Sequence, residues 1–303
     1  MKKRILVTGS NGLLGQKLVA LLHDNPTVEL VATSRGANKL ADLYPELRFL
    51  PLDVTDALQV QQVLADVKPT HLIHTAAMTN VDECELNHEG CWEQNVTAVK
   101  NLVAVCEILS VHLFHVSTDF IFSGQEGPLA EEAVPAPVNY YGHSKLAAEQ
   151  VVRAATCPWA ILRTVLVYGT AHDYGRTNIV LWVRDSLQAG KPIKVVDDQF
   201  RTPTLAEDLA QGCWLAVQHH ATGVYHLSSD ELLTPYGMAL RVAAYFQLDA
   251  SLITRVDSST FTQPAKRPPR TGFVIAKARR ELEYQPRTFE EGIALLAQQT
   301  ALP

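Results

Sequence analysis

The stretch Lys3-Arg4-Ile5-Leu6-Val7-Thr8-Gly9-Ser10-Asn11-Gly12-Leu13-Leu14-Gly15 joins an apolar run to an amphipathic one through closely spaced glycines. The apolar run predicts a β-strand over residues 4–8, and leucines at helical spacing predict a helix over residues 13–23. Glycine allows a tight turn and a close approach to a pyrophosphate, and the next helix offers free N–H groups to the phosphates. The spacing is GxxGxxG rather than GxGxxG, but its place after the first strand predicts a dinucleotide-binding loop. The predicted cofactor contacts of this loop are Gly9, Asn11, Gly12, Leu13, Leu14 and Gly15.

Beyond this stretch the chain alternates short β-rich runs with helical ones. The predicted strands cover residues 28–34, 48–52, 71–75, 112–117, 159–167 and 223–227, and the predicted helices 57–67, 85–109, 141–155, 177–188, 203–217 and most of the last third. Strands made almost entirely of Val, Ile and Leu are buried on both faces, as in a parallel sheet covered by helices. The alternation predicts an α/β protein with a Rossmann-like, doubly wound parallel sheet and a smaller C-terminal substrate-binding lobe. We expect residues 1–167 and 203–228 to form the NAD(P)-binding domain and residues 168–202 and 229–303 to form the lobe.

Composition and charge exclude several classes of protein. Of the 303 residues 47% are apolar and 19% charged, which suffices for a large core and excludes intrinsic disorder. The formal charge of −6, from 26 Lys and Arg against 32 Asp and Glu, argues against nucleic acid as a partner. The first apolar run stops at Thr8, too early for a signal peptide, and no run is long enough to span a bilayer. We therefore expect a cytoplasmic protein with no membrane partner.

The cysteines and histidines do not suggest a metal centre. The five cysteines are an odd number without a close Cys-x-x-Cys pair, so we expect reduced, buried side chains. The histidines, including the pair His219-His220, lack ligand spacing with carboxylates or thiols. The sequence therefore predicts no metal site.

The end of the second predicted strand bears on which dinucleotide binds. An NAD-binding unit places an Asp or Glu there to bond the ribose 2′-hydroxyl, but this chain has Ser34 and Arg35. A guanidinium forks well onto a 2′-phosphate, so these residues favour NADP(H), with NAD(H) possible. The alternative is that Arg35 is an ordinary solvated residue. Asp53 and Val54 end the third strand, and Asp53 either accepts from the adenine amino group or caps the helix that follows.

One Tyr-x-x-x-Lys pattern occurs in the chain, Tyr141-Gly142-His143-Ser144-Lys145. Residues i and i+4 share one face of a helix, so the phenol and the ammonium project to the same side. A neighbouring ammonium favours the phenolate and thereby lowers the tyrosine pKa from its ordinary value of about 10. A hydroxyl at a nearby strand end would hold a carbonyl oxygen, and Thr118 lies at the edge where open α/β sheets bind ligands. Thr118, Tyr141 and Lys145 are therefore the predicted catalytic residues.

These motifs resemble the extended short-chain dehydrogenase/reductase family. The resemblance rests on the glycine loop, on residues 76–83, 117–124 and 139–146, and on shorter matches that continue to residues 267 and 268. It implies that Tyr141 protonates a carbonyl oxygen as hydride arrives from the nicotinamide, that Lys145 lowers the tyrosine pKa and bonds the nicotinamide ribose, and that Thr118 orients the carbonyl. It also implies cofactor contacts from Ala76, Ala77 and Val165 and substrate contacts from Thr79, Asn80, Val81, Thr118 and Asp119. Asn95 either supports the site or only packs within its helix.

Basic residues in the C-terminal third suggest where an acidic substrate binds. Arg201, Lys266, Arg267 and Arg270 concentrate positive charge in an acidic protein, and planar guanidinium groups suit a nucleotide diphosphate. We therefore expect Arg201 and Arg267 to bind the substrate. The alternative is a solvated basic loop.

The resemblance implies an oxidoreductase, most specifically an NADPH-dependent reductase of a nucleotide-activated 4-keto sugar that acts as a homodimer. Related dehydratases carry an Asp-Glu pair after the catalytic Thr, whereas Asp119 is followed by Phe120, which disfavours elimination of water. Two other functions stay open: a nucleotide-sugar epimerase with retained NAD, and a non-catalytic NADP-binding regulatory subunit resembling the β subunit of methionine adenosyltransferase. Residues 170–176 should border the sugar but match no family pattern, so the sugar and the nucleotide base are not predicted.

Overall fold

A computed structural model describes residues 2–173, 175 and 177–301 of the chain. The strands are, in chain order, β1 (Lys3–Thr8), β2 (Val28–Ser34), β3 (Arg48–Pro51), β4 (His71–His74), β5 (His112–Thr118), β6 (Trp159–Thr164), β7 (Val167–Tyr168), β8 (Ile193–Val196), β9 (Thr204–Leu205), β10 (Gly223–His226) and β11 (Ile253–Val256). One parallel sheet has the order β10-β6-β5-β4-β1-β2-β3, and β7–β9 and β8–β11 form separate pairs. Because the order runs outward from β1 in both directions, the predicted doubly wound, Rossmann-like fold is confirmed.

Helices cover both faces of this sheet. They are α1 (Leu13–Leu22), α2 (Ala57–Val67), α3 (Val81–Leu86), α4 (His88–Trp92), α5 (Ala98–Leu109), α6 (Tyr140–Arg153), α7 (Ile179–Gln188), α8 (Ala206–Gln218), α9 (Pro235–Tyr245), α10 (Ala276–Leu282) and α11 (Phe289–Ala301). Ile5 and Val7 of β1 pack with α1, α8 and α10, whereas Leu6 packs with α2, α5 and α6 on the opposite face. All five cysteines are buried, as predicted. Over the described residues, no helix is long and apolar enough to cross a membrane.

A third apolar core lies in the C-terminal part of the chain. It joins Tyr168 to residues of α7, β8, α9, β11 and α11. The expectation that the last third is helical is wrong at β11, and β8 was also missed, because exposed polar residues (Lys194 in β8, Thr254 and Arg255 in β11) interrupt their apolar runs. A core of its own is what a separate lobe requires, while the predicted boundaries of that lobe stay a prediction.

The continuous helix predicted over residues 85–109 is wrong. The chain forms α3, α4, a π-helical turn at Glu93–Thr97, and then α5. Asn80 and Asn87 cap α3 and α4, because their side-chain oxygens accept from the N–H groups of Glu83 and Gly90. An Asn side chain that competes for backbone N–H groups starts a new helix instead of continuing the old one. The π-helical turn places Asn95 inside the protein.

The strand predicted over residues 159–167 also divides. β6 ends at Thr164, Leu166 has a left-handed φ of +37°, and β7 begins at Val167. A left-handed residue cannot continue an extended strand, so the chain leaves the sheet here and enters the C-terminal part. The helix predicted over residues 203–217 likewise begins only at Ala206, after β9.

A buried ion pair fixes α6 against the sheet. Arg163 on β6 donates from Nε to Glu149 Oε1 at 2.9 Å and from Nη2 to Oε2 at 2.7 Å. The two side chains are 1% and 0% exposed, and Nη1 also donates to the carbonyl of Glu131. Desolvating two charges is unfavourable unless their geometry is close to ideal, which the two parallel hydrogen bonds provide. The pair therefore defines both the height and the rotation of α6.

Replacing Glu149 with Gln removes the counter-charge of a buried guanidinium. We expect E149Q to lower the free energy of unfolding by about 3 kcal/mol, as measured by urea denaturation. Arg153→Gln is the matched control, because Arg153 contacts the same carboxylate at 3.6 Å from a half-exposed position and should contribute less than about 1 kcal/mol. Equal losses in the two variants would contradict the role given to the buried pair.

Candidate active site

A cavity of about 550 Å³ opens at the carboxyl edge of the parallel sheet, where open α/β sheets bind ligands. A smaller cavity of about 240 Å³ adjoins it and shares Gly12, Thr75 and Ala77. The predicted residues that line the larger cavity are Gly12, Leu13, Leu14, Gly15, Ala77, Thr79, Val81, Thr118, Asp119, Tyr141 and Lys145. Those that line the smaller one are Gly9, Gly12, Ser34, Arg35, Asp53, Val54, Ala76 and Ala77.

The glycine loop presents bare backbone to both cavities. Gly9 has a φ of +72°, and a Cβ there would lie 2.8 Å from the Ala76 nitrogen. A Cβ on Gly15 would lie 2.2 Å from the Gly9 carbonyl oxygen, so only glycine lets α1 pack this closely. No side chain among the described residues caps the N-terminus of α1, and its first turn holds no acidic residue. The first N–H groups of α1 and its dipole therefore remain available for a phosphate.

Asn11 lines neither cavity, although the sequence predicts that it contacts the cofactor. Its Nδ2 donates to the carbonyl of Ala37 at 2.8 Å, and its Oδ1 accepts from the N–H of Lys39 at 3.1 Å. The side chain therefore ties the glycine loop to the segment that begins with Arg35. A direct cofactor contact from Asn11 stays a prediction that these bonds do not favour.

The smaller cavity carries the residues expected to choose between the dinucleotides. Ser34 and Arg35 line it at the end of β2, and Arg35 is exposed. Asp53 lines it too, with Oδ1 accepting from the N–H and the hydroxyl of Thr55. Asp56, not Asp53, caps α2, so the cap interpretation of Asp53 is wrong. The contact to adenine is the alternative that remains.

Thr118, Tyr141 and Lys145 converge on the larger cavity. Tyr141 lies in the first turn of α6, which begins after Asn139 because the Asn139 Oδ1 accepts from the N–H of Gly142 at 2.8 Å. Thr118 ends β5, lines the same cavity as Tyr141, and donates from its hydroxyl to Asp119 Oδ1 at 3.1 Å. Lys145 follows one helical turn later and donates to the carbonyl of Val116 at 2.8 Å. The predicted trio is therefore brought together at one wall of the cavity.

Burial raises the pKa of the Tyr141 phenol above its ordinary value of 10.0, although the Thr118 hydroxyl acts in the opposite sense. This direction is opposite to the lowering by Lys145 that the sequence predicts. The Lys145 ammonium bonds the Val116 carbonyl instead, and desolvation of the phenolate is the largest effect on the Tyr141 pKa. Tyr141 is consequently protonated at neutral pH, which is the form a proton donor needs.

Two buried histidines lie beneath Lys145. His115 Nε2 lies 3.4 Å from the lysine Nζ, and the His74 and His115 rings stack with centroids 5.5 Å apart. Burial lowers the pKa of His74 to about 3 and that of His115 well below 6.5, so both rings are neutral. Burial also lowers the pKa of Lys145 to about 8, against the opposing charge of Glu149. The lysine is charged at pH 7 but loses its proton in mildly alkaline solution.

Asn95 supports the site. Its Oδ1 accepts from the N–H of Met78 at 2.8 Å, and its Nδ2 donates to the Met78 carbonyl and to the Ser144 hydroxyl, each at 3.0 Å. These bonds join the loop after β4, which carries Ala77 and Thr79, to α6. Of the two interpretations left open for Asn95, its contacts therefore favour support of the site over simple helix packing.

Asp119 and Arg201 form a buried pair at the wall of the cavity. The Arg201 Nε lies 3.8 Å from Asp119 Oδ2, and the side chains are 5% and 2% exposed. The other Arg201 nitrogens donate to the carbonyls of residues 200, 268 and 269. Arg201 thus holds the proline-rich segment against the end of β5. Its donors are used within the chain, which does not favour its predicted role in binding a diphosphate.

Arg267 is engaged in the same way. Its Nη1 and Nη2 donate to the two carboxylate oxygens of Asp82 at 2.5 and 2.7 Å. Arg201 and Arg267 line neither of the two cavities. The same holds for Asn80, which caps α3, and for Val165, which is fully buried. Ligand contacts from these residues stay predictions. In the stretch expected to border the sugar, residues 174 and 176 lie outside the described residues.

Several residues of the larger cavity were not predicted. They are Thr75, Val116, Ser117, Phe120, Thr164, Leu166, Val167, Gly169, Thr177, Asn178 and Leu209. Those at the ends of β4, β5 and β6 follow from a simple signal, since parallel strands all end at one edge of the sheet. Ser117 fits a ligand site in particular, because its buried Oγ has no partner among the residues described. Thr177 and Asn178 come from the C-terminal part and carry no recognisable motif.

This fold and this site define a dinucleotide-dependent oxidoreductase of the extended short-chain dehydrogenase/reductase class. The sequence profile of the family described as "RmlD substrate binding domain" matches residues 2–302. The chain belongs to this family.

Named proteins resemble the chain over most of its length. The dTDP-4-keto-6-deoxy-D-glucose reductase of Streptomyces niveus is 34% identical, with 88% of this chain and 87% of the relative covered. The methionine adenosyltransferase 2 subunit beta of Xenopus tropicalis is 30% identical, with 82% and 74% covered. The structure of dTDP-4-dehydrorhamnose reductase from Bacillus anthracis in complex with NADP is 29% identical, with a TM-score of 0.85 and 99% and 100% covered.

Replacing Lys145 with Met removes a buried ammonium whose pKa is lowered from 10.5 to about 8. We expect K145M to raise the free energy of unfolding at pH 7 by about 1–2 kcal/mol, since it ends an unfavourable burial but leaves the Val116 carbonyl without a donor. Between pH 8 and 10.5 the unfolded wild type holds more protons than the folded one, so the wild type gains stability as the pH rises. The advantage of K145M therefore shrinks across this window.

Urea denaturation of both proteins at a series of pH values measures this difference. Lys191→Met is the matched control, because Lys191 is exposed. The difference in free energy of unfolding between K191M and the wild type should therefore be small and independent of pH. A K145M difference that stays constant from pH 7 to 10 would contradict the lowered pKa.

Proposed function

We propose that the protein reduces the 4-keto group of a nucleotide-activated sugar, with dTDP-4-dehydrorhamnose as the leading substrate and NADPH as the hydride donor. The observation that carries the proposal is the convergence of Thr118, Tyr141 and Lys145 on a cavity that also borders the glycine loop. The Streptomyces niveus and Bacillus anthracis proteins, both named as reductases of dTDP-linked sugars, support it.

The two cavities together have the parts that a dinucleotide needs. The glycine loop would hold the pyrophosphate at the N-terminus of α1, Arg35 the 2′-phosphate, and Asp53 the adenine amino group. Lys145 would bond the nicotinamide ribose. When bound, the cofactor supplies the hydride. NAD(H) stays possible.

The catalytic trio then moves one proton. The Thr118 hydroxyl would turn from Asp119 Oδ1, to which it donates at 3.1 Å, to the substrate carbonyl and orient it, and the protonated Tyr141 would give its proton to the carbonyl oxygen. The charged Lys145 stabilises the phenolate that remains, because opposite charges attract strongly where water is scarce. Since Lys145 has a pKa of about 8, reduction should weaken above that pH.

Three further properties of the protein belong to this proposal: its oligomeric state, its place in the cell and the boundaries of its two parts. We propose a homodimer in the cytoplasm, with residues 1–167 and 203–228 binding the cofactor and the remainder binding the sugar. Leu86 and Ile108 on the helices α3 and α5 are highly exposed, and a second subunit would cover such apolar surface.

A second candidate function is a regulatory, non-catalytic subunit, favoured by the similarity to the methionine adenosyltransferase subunit. The complete trio weighs against it, because a binding protein has no need of a proton donor at this position. An epimerase with retained NAD is the third outcome that the following experiment separates.

Purified protein is mixed with NADPH and a panel of nucleotide 4-keto sugars while NADPH absorbance and product are followed. Stoichiometric loss of NADPH is expected, isomerisation without net loss would indicate the epimerase, and silence across the panel would indicate the regulatory subunit. Tyr141→Phe should lower kcat by about 1,000-fold, since it removes the proton donor, and leave NADPH affinity unchanged. Tyr140→Phe is the control, because Tyr140 stacks on His88 and lines neither cavity. Wild-type activity in Y141F would refute this mechanism for any substrate.

Arg35→Ala tests the choice of cofactor. We expect the preference for NADPH over NADH, measured as the ratio of kcat/KM values, to fall about tenfold or more, because a charge-assisted bond to the 2′-phosphate is lost. Arg48→Ala is the matched control, since this exposed arginine at β3 pairs with Asp66 and lines neither cavity. An unchanged ratio in R35A would make Arg35 an ordinary solvated residue.

A further inference from the structure

Three histidines meet at the edge of the sheet opposite the active site. His71 begins β4, His112 begins β5, and His220 lies in the turn between α8 and β10. One potential ligand atom of each lies within 4.8 Å of the others. β4 and β5 pair with His71 opposite His112, so the two rings lie on one face of the sheet with centroids 5.9 Å apart. Parallel pairing thus brings together residues that are far apart in the chain, which the ligand spacing used to predict no metal site from the sequence does not detect.

Hydrogen bonds fix one nitrogen of each buried ring. His112 Nε2 lies 3.0 Å from the carbonyl of Ala221, which can only accept, so this nitrogen carries the proton. His71 Nδ1 lies 2.7 Å from Thr70 Oγ1, and when the Thr70 hydroxyl donates to the Arg4 carbonyl at 3.0 Å it accepts from this nitrogen. With the protons so placed, the second nitrogen of each ring keeps its lone pair. Metal-binding histidines show this same division, with one nitrogen on the metal and the other N–H bonded to an oxygen.

His220 completes the group from the outside. Its ring centroid lies 6.0 Å from that of His71, and its backbone has a left-handed φ of +51°. The residue is exposed, so its side chain can rotate toward the buried pair with little disturbance. Lys3 interacts electrostatically with His71, but its long side chain can place the ammonium in water.

We propose that His71, His112 and His220 bind one divalent transition metal ion of the zinc class, with water as the fourth ligand. Imidazole is a preferred ligand of zinc, and three histidines with one water make a familiar four-coordinate set. Because the site lies at the amino ends of the strands, away from Tyr141, the ion stabilises the fold and takes no part in reduction. It joins β4 and β5 to the connection that leads into β10.

The test uses tag-free wild-type protein titrated with Zn²⁺ and, separately, with Co²⁺, whose visible spectrum reports four-coordinate binding. We expect one equivalent to bind and the thermal midpoint to rise with Zn²⁺, because a ligand that binds only the folded state stabilises it. His220→Gln and His71→Gln should each weaken Zn²⁺ binding by at least about tenfold. His219→Gln is the matched control, since His219 is the exposed neighbour of His220 and should bind as the wild type does.

Affinity for NADPH, measured without added metal, should be the same in the wild type, H220Q and H219Q. This readout separates the metal site from the proposed function, since either can fail without the other. Zn²⁺ binding by H220Q as tight as by the wild type would place the ion elsewhere and overturn the proposal. So would the absence of a Zn²⁺-dependent shift in the wild-type midpoint.

Discussion

The two parallel hydrogen bonds between Arg163 and Glu149 set the position of α6, and the catalytic geometry follows from that position. Tyr141 and Lys145 lie on the same helix as Glu149, at intervals of one turn. The pair therefore helps to hold both side chains at the sheet edge. An exposed ion pair would not serve, because solvent weakens its attraction to the level of thermal motion. Burial makes the pair demanding in its geometry, and the pair thereby positions Tyr141, the proposed proton donor.

The same dry environment acts on the two catalytic side chains in opposite directions. Burial raises the pKa of Tyr141 and lowers that of Lys145, since it penalises whichever form is charged. Each charge is unfavourable alone, but a phenolate next to an ammonium is favourable in a medium of low dielectric constant. In the proposed reduction, loss of the tyrosine proton therefore places a phenolate beside the buried ammonium, so that each charge has a partner. The rings of His74 and His115 beneath Lys145 are neutral, so they add no further charge next to the phenolate and the ammonium.

The sequence predicted the features that local pattern determines. The strands of the parallel sheet were recognisable because continuous runs of Val, Ile and Leu are needed where both faces are covered. The break in the helix over residues 85–109 was not, because the cap that Asn87 forms with Gly90 interrupts an otherwise helical pattern, and the partner of Asn95 is the distant Met78. Residue type predicted that Arg201 and Arg267 bind a nucleotide diphosphate, but not that groups of the chain itself, Asp119 and backbone carbonyls for Arg201 and Asp82 for Arg267, would already engage them. Ion pairs and hydrogen bonds between residues that are distant in the chain cannot be predicted from a single sequence.

Asn11 links two segments of the proposed cofactor site that no described residue lining the site joins by itself. Its one side-chain amide couples the glycine loop to the segment that carries Arg35. If Arg35 selects the cofactor as proposed, the preference depends on both segments and on the side chain that joins them. Consider a chimaera that takes the segment after β2 from a relative but has no side chain at position 11 that can both donate and accept. The grafted segment would carry its charged residues, but nothing would hold it in position against the glycine loop.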